Sequence, residues 1–227
     1  MTPATAAGTV ASAGAVIFDL DGTLVDSEAV ALPACVEALA AVGFQIDAAT
    51  FARRFTGRTD EAIIAILIRE QGVDVDPAHA LAEVQRLALA RLADAVEAMP
   101  GALELVAAIA VPRAVASNSA PARIRLCLER TGLVEHFMPH LYSAEHVAEG
   151  KPAPDLFLFT AERLGVAPTA CVVVEDSAHG VRAAKAAGMT AIGLTAAYAP
   201  DHEEVLRAAG ADHVVPALAA LHALLAR

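Results

Sequence analysis

Positive charge is scarce in this sequence. Its 16 Lys and Arg stand against 27 Asp and Glu, leaving a formal net charge of -11. Binding to a nucleic acid backbone rests on clustered cations, so that class of partner is excluded. Cysteine is rarer still. Cys35, Cys127 and Cys171 are odd in number, far apart and never in a C-x-x-C pair, which argues against a disulfide framework and for a reducing compartment. No apolar run reaches the ~18 residues of a membrane span, although 56% of the residues are hydrophobic and the mean hydropathy is +0.52. Much of that is alanine. Residues 1–13 are rich in Ala, Thr and Gly, without a positive stretch or an apolar centre, and read as a disordered leader rather than a signal peptide. A cytoplasmic protein with no membrane partner is expected, either a monomer or a small homo-oligomer. The eight histidines form no H-E-x-x-H pattern, and no nucleophile elbow occurs. His136 and His140 are four apart, but Pro139 interrupts any helix that would present both.

What is there begins at Val16-Ile17-Phe18-Asp19-Leu20-Asp21-Gly22-Thr23-Leu24-Val25-Asp26-Ser27. The apolar start, Ala15 to Phe18, is short and β-branched enough for a buried strand. Two carboxylates follow, one residue apart, and then a glycine. A turn at Gly22 lets Asp19 leave the end of the strand with Asp21 beside it. Paired buried carboxylates repel, so they persist only with a cation, a shared proton or a substrate to compensate. A bare strand and Asp-Gly turn is the blander alternative, but the length of the pattern weighs against it.

The 227 residues fit one large domain or a core with a smaller insert. After Ser27 the texture turns helical: residues 29–42, 51–55, 61–70 and 77–97 read as helices with no strand among them. This block, residues 27–97, is expected to be an inserted cap on a core made of residues 14–26 and 98–227. Beyond Pro100 strands and helices alternate, with strands at residues 113–116, 141–143, 170–174, 191–194 and 213–215. Such alternation predicts an α/β fold with a doubly wound parallel sheet. Ligands of such sheets lie at the carboxyl ends of the strands, which is where the polar clusters fall.

Four strand ends converge: Asp19 and Asp21, Ser117 and Asn118, Lys151, and Glu175 with Asp176. Taken singly, Ser117 could cap the next helix. Lys151 could be a solvated loop lysine, and Glu175-Asp176-Ser177 could answer a helix dipole. His179, close by, reads as a polar residue at a helix start. Together the four clusters supply carboxylates, a hydroxyl and one cation, an oxygen-rich set suited to Mg²⁺.

In order, these segments resemble the four motifs of the haloacid dehalogenase superfamily. Asp19-Leu20-Asp21-Gly22-Thr23 is similar to the first and Val115-Ala116-Ser117-Asn118 to the second. Lys151-Pro152-x-Pro154-Asp155 is similar to the third, and the run from Val174 to Met189, with Glu175-Asp176-Ser177-x-x-Gly180, to the fourth. A helical insert between the first two motifs resembles the branch holding β-phosphoglucomutase and many sugar-phosphate phosphatases. The resemblance implies a Rossmann-like core and a Mg²⁺-dependent phosphatase of small phosphorylated metabolites. It implies Asp19 as nucleophile, Asp21 as general acid and base, and Ser117, Asn118 and Lys151 around the phosphoryl group. Asp19, Asp21 (through its backbone carbonyl) and Asp176 would hold the metal, with Glu175 a ligand through water or an orienting group. Thr56-Gly57-Arg58-Thr59 is similar to the branch's specificity loop, making Gly57 and Arg58 candidate substrate contacts. The mutases have a basic residue three positions after the loop glycine, where Asp60 stands here, which favours a phosphatase over a mutase. The second aspartate, Asp21, argues against dehalogenation, because a halide leaving group needs no proton.

Overall fold

The computed structural model describes residues 12–55, 58–195 and 202–225. Residues 1–11 of the expected leader and the loop residues Thr56 and Gly57 lie outside the described residues. The first described strand is β1 (Ala15–Phe18), all four residues buried. The chain leaves through β2 (Val25–Asp26) into four helices: α1 (Glu28–Ala41), α2 (Ala48–Phe55), α3 (Asp60–Gln71) and α4 (Pro77–Ala95). It returns through β3 (Glu97–Ala98). Then come α5 (Ala102–Ala108), β4 (Arg113–Ser117), α6 (Pro121–Arg130), β5 (Leu141–Ser143), α7 (Asp155–Leu164) and β6 (Cys171–Glu175). The chain continues through α8 (Ala178–Ala186), β7 (Thr190–Leu194), α9 (His202–Ala208), β8 (His213–Val215) and α10 (Leu218–Leu225).

Six strands pair in the order β5-β4-β1-β6-β7-β8, all in parallel. A parallel sheet is covered on both faces, and the alternation of β1 shows how. Val16 and Phe18 point to the face closed by α5, α6 and α10, among Leu105, Ile124, Leu128 and Leu218. Ala15 and Ile17 point to the other, among Leu156, Phe157, Val181 and Leu206 of α7, α8 and α9. The sheet is doubly wound, as expected.

The first four helices have an apolar cluster of their own, built on Leu39, Phe44, Phe55, Ile64, Leu67 and Val84. Helix α3 is well delimited. Thr59 accepts a hydrogen bond from the Ala62 N–H at its start, and Gly72 adopts φ 64° at its end, a left-handed turn that glycine enters without strain. Two features were not expected. The segments entering and leaving the helical block pair antiparallel, Val25 opposite Ala98 and Asp26 opposite Glu97. A further helix, α10, also follows the strand expected to close the fold. No described helix is long and apolar enough to cross a membrane, and the three cysteines are free and buried.

Candidate active site

Parallel strands end side by side, so the residues just past β1, β4 and β6 meet. Asp19 is still held in the ladder, its N–H donating to the Val174 carbonyl at 3.0 Å. The next residues coil tightly, with Gly22 at φ 77°, and the N–H groups of Leu24 and Val25 fold back on the Leu20 carbonyl. That turn puts the two aspartates in different surroundings.

Asp19 faces Lys151. The ammonium donates to Asp19 Oδ1 at 2.6 Å and to Glu175 Oε1 at 2.7 Å, and its side chain is only 2% exposed. Lys151 is therefore no solvated loop lysine. Burial pushes the Asp19 carboxyl up to about 7, Lys151 opposes the rise, and Glu175 and Asp21 add to it. Burial draws Lys151 downward, but the two carboxylates outweigh it and hold the ammonium above its ordinary value. Glu175 Oε2 accepts from the Ser177 N–H at 2.8 Å and the Ser177 hydroxyl at 2.9 Å. Both Glu175 oxygens thus carry bonds that orient Lys151 and the start of α8. A Cβ on Gly180 would fall 1.7 Å from Glu175 Oε1, so the glycine of the fourth motif is what admits the glutamate. Asp176 Oδ1 accepts from the Thr23 hydroxyl at 3.2 Å. Oxygens of Asp19, Glu175 and Asp176 lie within 4.8 Å of one another. Three buried carboxylates against one ammonium is a set of hard oxygen donors with excess negative charge, which fits a divalent cation.

Asp21 turns away from that cluster. Its carboxylate accepts from Arg123 at 2.6 Å, from the Ser119 hydroxyl at 2.6 Å, and from the Ser27 hydroxyl. Burial acts to raise its pKa, but Arg123 and the two hydroxyls more than reverse that and hold the carboxyl below its ordinary value. Its side chain is not among the clustered metal-type oxygens.

Ser117 is buried, and its hydroxyl accepts from the Ser119 N–H at 3.0 Å. It does not cap α6, whose N-cap is Ala120 without a side-chain bond. The Asn118 amide grips the backbone of Lys151 in both directions, at 3.0 and 2.9 Å. Its side chain locks the two loops together. Arg58 is exposed on the wall above and acts electrostatically on His179, whose pKa is lowered first by burial and then by Arg58 and Arg182.

A cleft between the strand ends and the helical block joins these groups. Asp19, Asp21, Ser117, Asn118, Lys151, Glu175 and Asp176 line one side; Phe51, Phe55, Arg58, Asp60 and Ile63 line the other. Sequence reasoning missed Arg123 and Ser119. Arg123 left one trace: a cation in the first turn of a helix, where the dipole disfavours it. Its Nε is buried with no hydrogen-bond partner among the described residues.

A doubly wound sheet with carboxylates, a hydroxyl and a lysine gathered at its carboxyl edge has its polar cleft where α/β enzymes of this class bind their ligands. A family model for haloacid dehalogenase-like hydrolases matches residues 13–188, and the chain belongs to that family. It is 38% identical over 182 residues to the fructose-1-phosphate phosphatase YqaB of Escherichia coli, covering 78% of this chain and 93% of that protein. To the 6-phosphogluconate phosphatase of the same organism it is 34% identical, over 77% and 79% of the two chains. Its fold matches that of CbbY from Rhodobacter sphaeroides in complex with phosphate, with a TM-score of 0.82 at 29% identity, covering 95% of this chain and all (100%) of the other.

Proposed function

We propose that the chain is a Mg²⁺-dependent phosphatase of a small sugar phosphate or related metabolite, acting through an aspartyl-phosphate on Asp19. The observation that carries this reading is the buried Lys151 bridge between Asp19 and Glu175 beside Asp176. A cation-balanced carboxylate at a strand end is a nucleophile suited to an anionic substrate.

Asp19 and Asp176, with the backbone carbonyl of Asp21, would hold Mg²⁺, and Glu175 would orient Lys151. When bound, the ion offsets the repulsion between the Asp19 carboxylate and the phosphoryl oxygens. Asp19 Oδ attacks phosphorus and the ester bond to the alcohol breaks, which splits one hard step into two. Lys151, the Ser117 hydroxyl and the Asn118 backbone bind the phosphoryl oxygens as charge grows on them. Asp21 has to be protonated, against the pull of Arg123, Ser119 and Ser27, to give a proton to the departing alkoxide. It then takes one from the water that attacks phosphorus and breaks the Asp19 Oδ–P bond. The bonds from Arg123, Ser119 and Ser27 favour the base form, the one that activates water after the alcohol has left. The helical block acts as the cap that closes over the cleft, with Arg58 and Asp60 on the side of the leaving group. Asp60, in place of the mutases' basic residue, supports hydrolysis rather than phosphoryl return from a bisphosphate.

The test is phosphate release from a panel of phosphorylated metabolites, with Mg²⁺ or EDTA, for the native chain and Asp19→Asn. Metal-dependent release that disappears in the variant is expected. Activity surviving in Asp19→Asn overturns the mechanism. Conversion of glucose 1-phosphate to the 6-phosphate only with a bisphosphate primer would make the chain a mutase.

A further inference from the structure

Resting on the phosphatase reading above, we propose that Ser143, at the end of β5, is a positioning residue: through Ser119 it aims the Ser117 hydroxyl and the Asp21 carboxylate at one bound ester. Ser143 is wholly buried and pairs with Ser117 across the ladder between β4 and β5. It lies behind the cleft, whose lining takes Ser117 and Ser119 from these strand ends but not Ser143. Its hydroxyl donates to the Ser119 carbonyl at 2.7 Å. That bond fixes the backbone of Ser119 just after the chain leaves β4.

Ser119 is where the two halves of the chemistry meet. Its N–H donates to Ser117 Oγ at 3.0 Å, which occupies a lone pair of that hydroxyl and leaves its proton for a phosphoryl oxygen. Its own hydroxyl donates to Asp21 Oδ2 at 2.6 Å, whereas Arg123 and Ser27 hold the other oxygen, Oδ1. The rotation of the Asp21 carboxylate therefore depends on where Ser119 stands. A blander role for Ser143 is to cap the short turn Ala144–His146. It does accept from the Glu145 N–H at 3.2 Å, and its own N–H donates to His146 Nδ1 at 2.9 Å. A hydroxyl has one proton and two acceptor positions. The cap occupies an acceptor position only, and the proton goes to Ser119. Capping alone does not account for that bond.

The experiment compares kcat/KM for glucose 6-phosphate, an alkyl ester, with that for 4-nitrophenyl phosphate. The chains are the native one, Ser143→Ala, Ser119→Ala, the double variant and His146→Ala. An alkoxide takes a proton from Asp21 as it leaves, whereas nitrophenolate leaves without one. The alkyl-to-aryl ratio therefore reads the aim of Asp21. It is expected to fall about 10-fold in Ser143→Ala, the effect of a small misplacement, and about 100-fold in Ser119→Ala, which loses the contact itself. Adding Ser143→Ala to Ser119→Ala should leave the ratio where Ser119→Ala put it, because residues that act as one unit are not additive. His146→Ala loosens the same turn and spares the hydroxyl, so it should keep the native ratio. Ratios are internally referenced, so a partly misfolded preparation does not alter them. An unchanged ratio in Ser143→Ala, a further 10-fold fall in the double variant, or an equal fall in His146→Ala overturns the role of Ser143 while the phosphatase reading stands. No release from either ester by the native chain overturns both.

Discussion

Gly180 shows how a single missing carbon shapes the site. Any Cβ there meets the Glu175 carboxylate, and displacing Glu175 removes one of the two anchors of Lys151. Gly180→Ala is therefore expected to lower kcat on an aryl phosphate by about 100-fold, with a stability loss of about 1–3 kcal/mol from overpacking; urea titration and initial rates check the two. Lys151→Met goes further, because it leaves three buried carboxylates uncompensated. A loss of about 3–5 kcal/mol is expected for breaking such a buried set, read by urea unfolding in EDTA. A third residue titrates far from the cleft. Burial acts to raise the Asp212 pKa, but hydrogen bonds from Lys185 and the Ala191 N–H outweigh it and leave the carboxyl below its ordinary value. Its folded pKa lies below its unfolded one, so its contribution is present above the unfolded value and fades as pH falls through the folded one. Asp212→Asn should cost about 0.5–1 kcal/mol at pH 7, after screening of a partly exposed pair. The gap to the native chain should close as pH falls through the folded Asp212 value; a gap independent of pH would contradict the assignment.

At the scale of elements, helix α3 carries Asp60 and depends on its ends. Gly72→Ala puts a side chain at φ 64° and is expected to cost about 1 kcal/mol, seen as a lower urea midpoint with an unchanged slope. The elements that could be read from the residues are those whose signal is local. β1 and β6 are apolar runs closed by acids, and α3 has both a cap and a terminal glycine. The β2–β3 pairing left no trace, because two residues a side have no periodicity and only the folded chain brings Asp26 to Glu97. The helix α10 was missed because Leu218–Leu225, apolar but for His222, shows no striped pattern. Strand β6 runs one residue further than read, through Glu175: an acid can stay in a buried strand once Lys151 neutralises it. The same limit applies to the site. Its four motif positions were legible as spacing, whereas Arg123 became visible only when α6 carried it 102 residues along the chain to Asp21.

For the whole molecule, the excess of buried negative charge at one edge of the sheet would couple folding to the cation binding proposed above. Adding Mg²⁺ at about 100 times its Kd should stabilise the native state by about 2.7 kcal/mol. That appears as a rise in Tm at neutral pH, lost in Asp176→Asn and in the presence of EDTA. The chain's acidity of -11 makes general salt effects a necessary control, so sodium at matched ionic strength should reproduce little of the shift.

The antiparallel pairing of Val25 with Ala98 and Asp26 with Glu97 makes the helical block a graft. Its two attachment points are already neighbours, so a short turn joining Asp26 to Glu97 would close a small hairpin and leave every strand of the main sheet in register. Helical blocks of other lengths could be spliced at this seam without disturbing Asp19 or Lys151. The sheet and the helical block can thus diverge at separate rates.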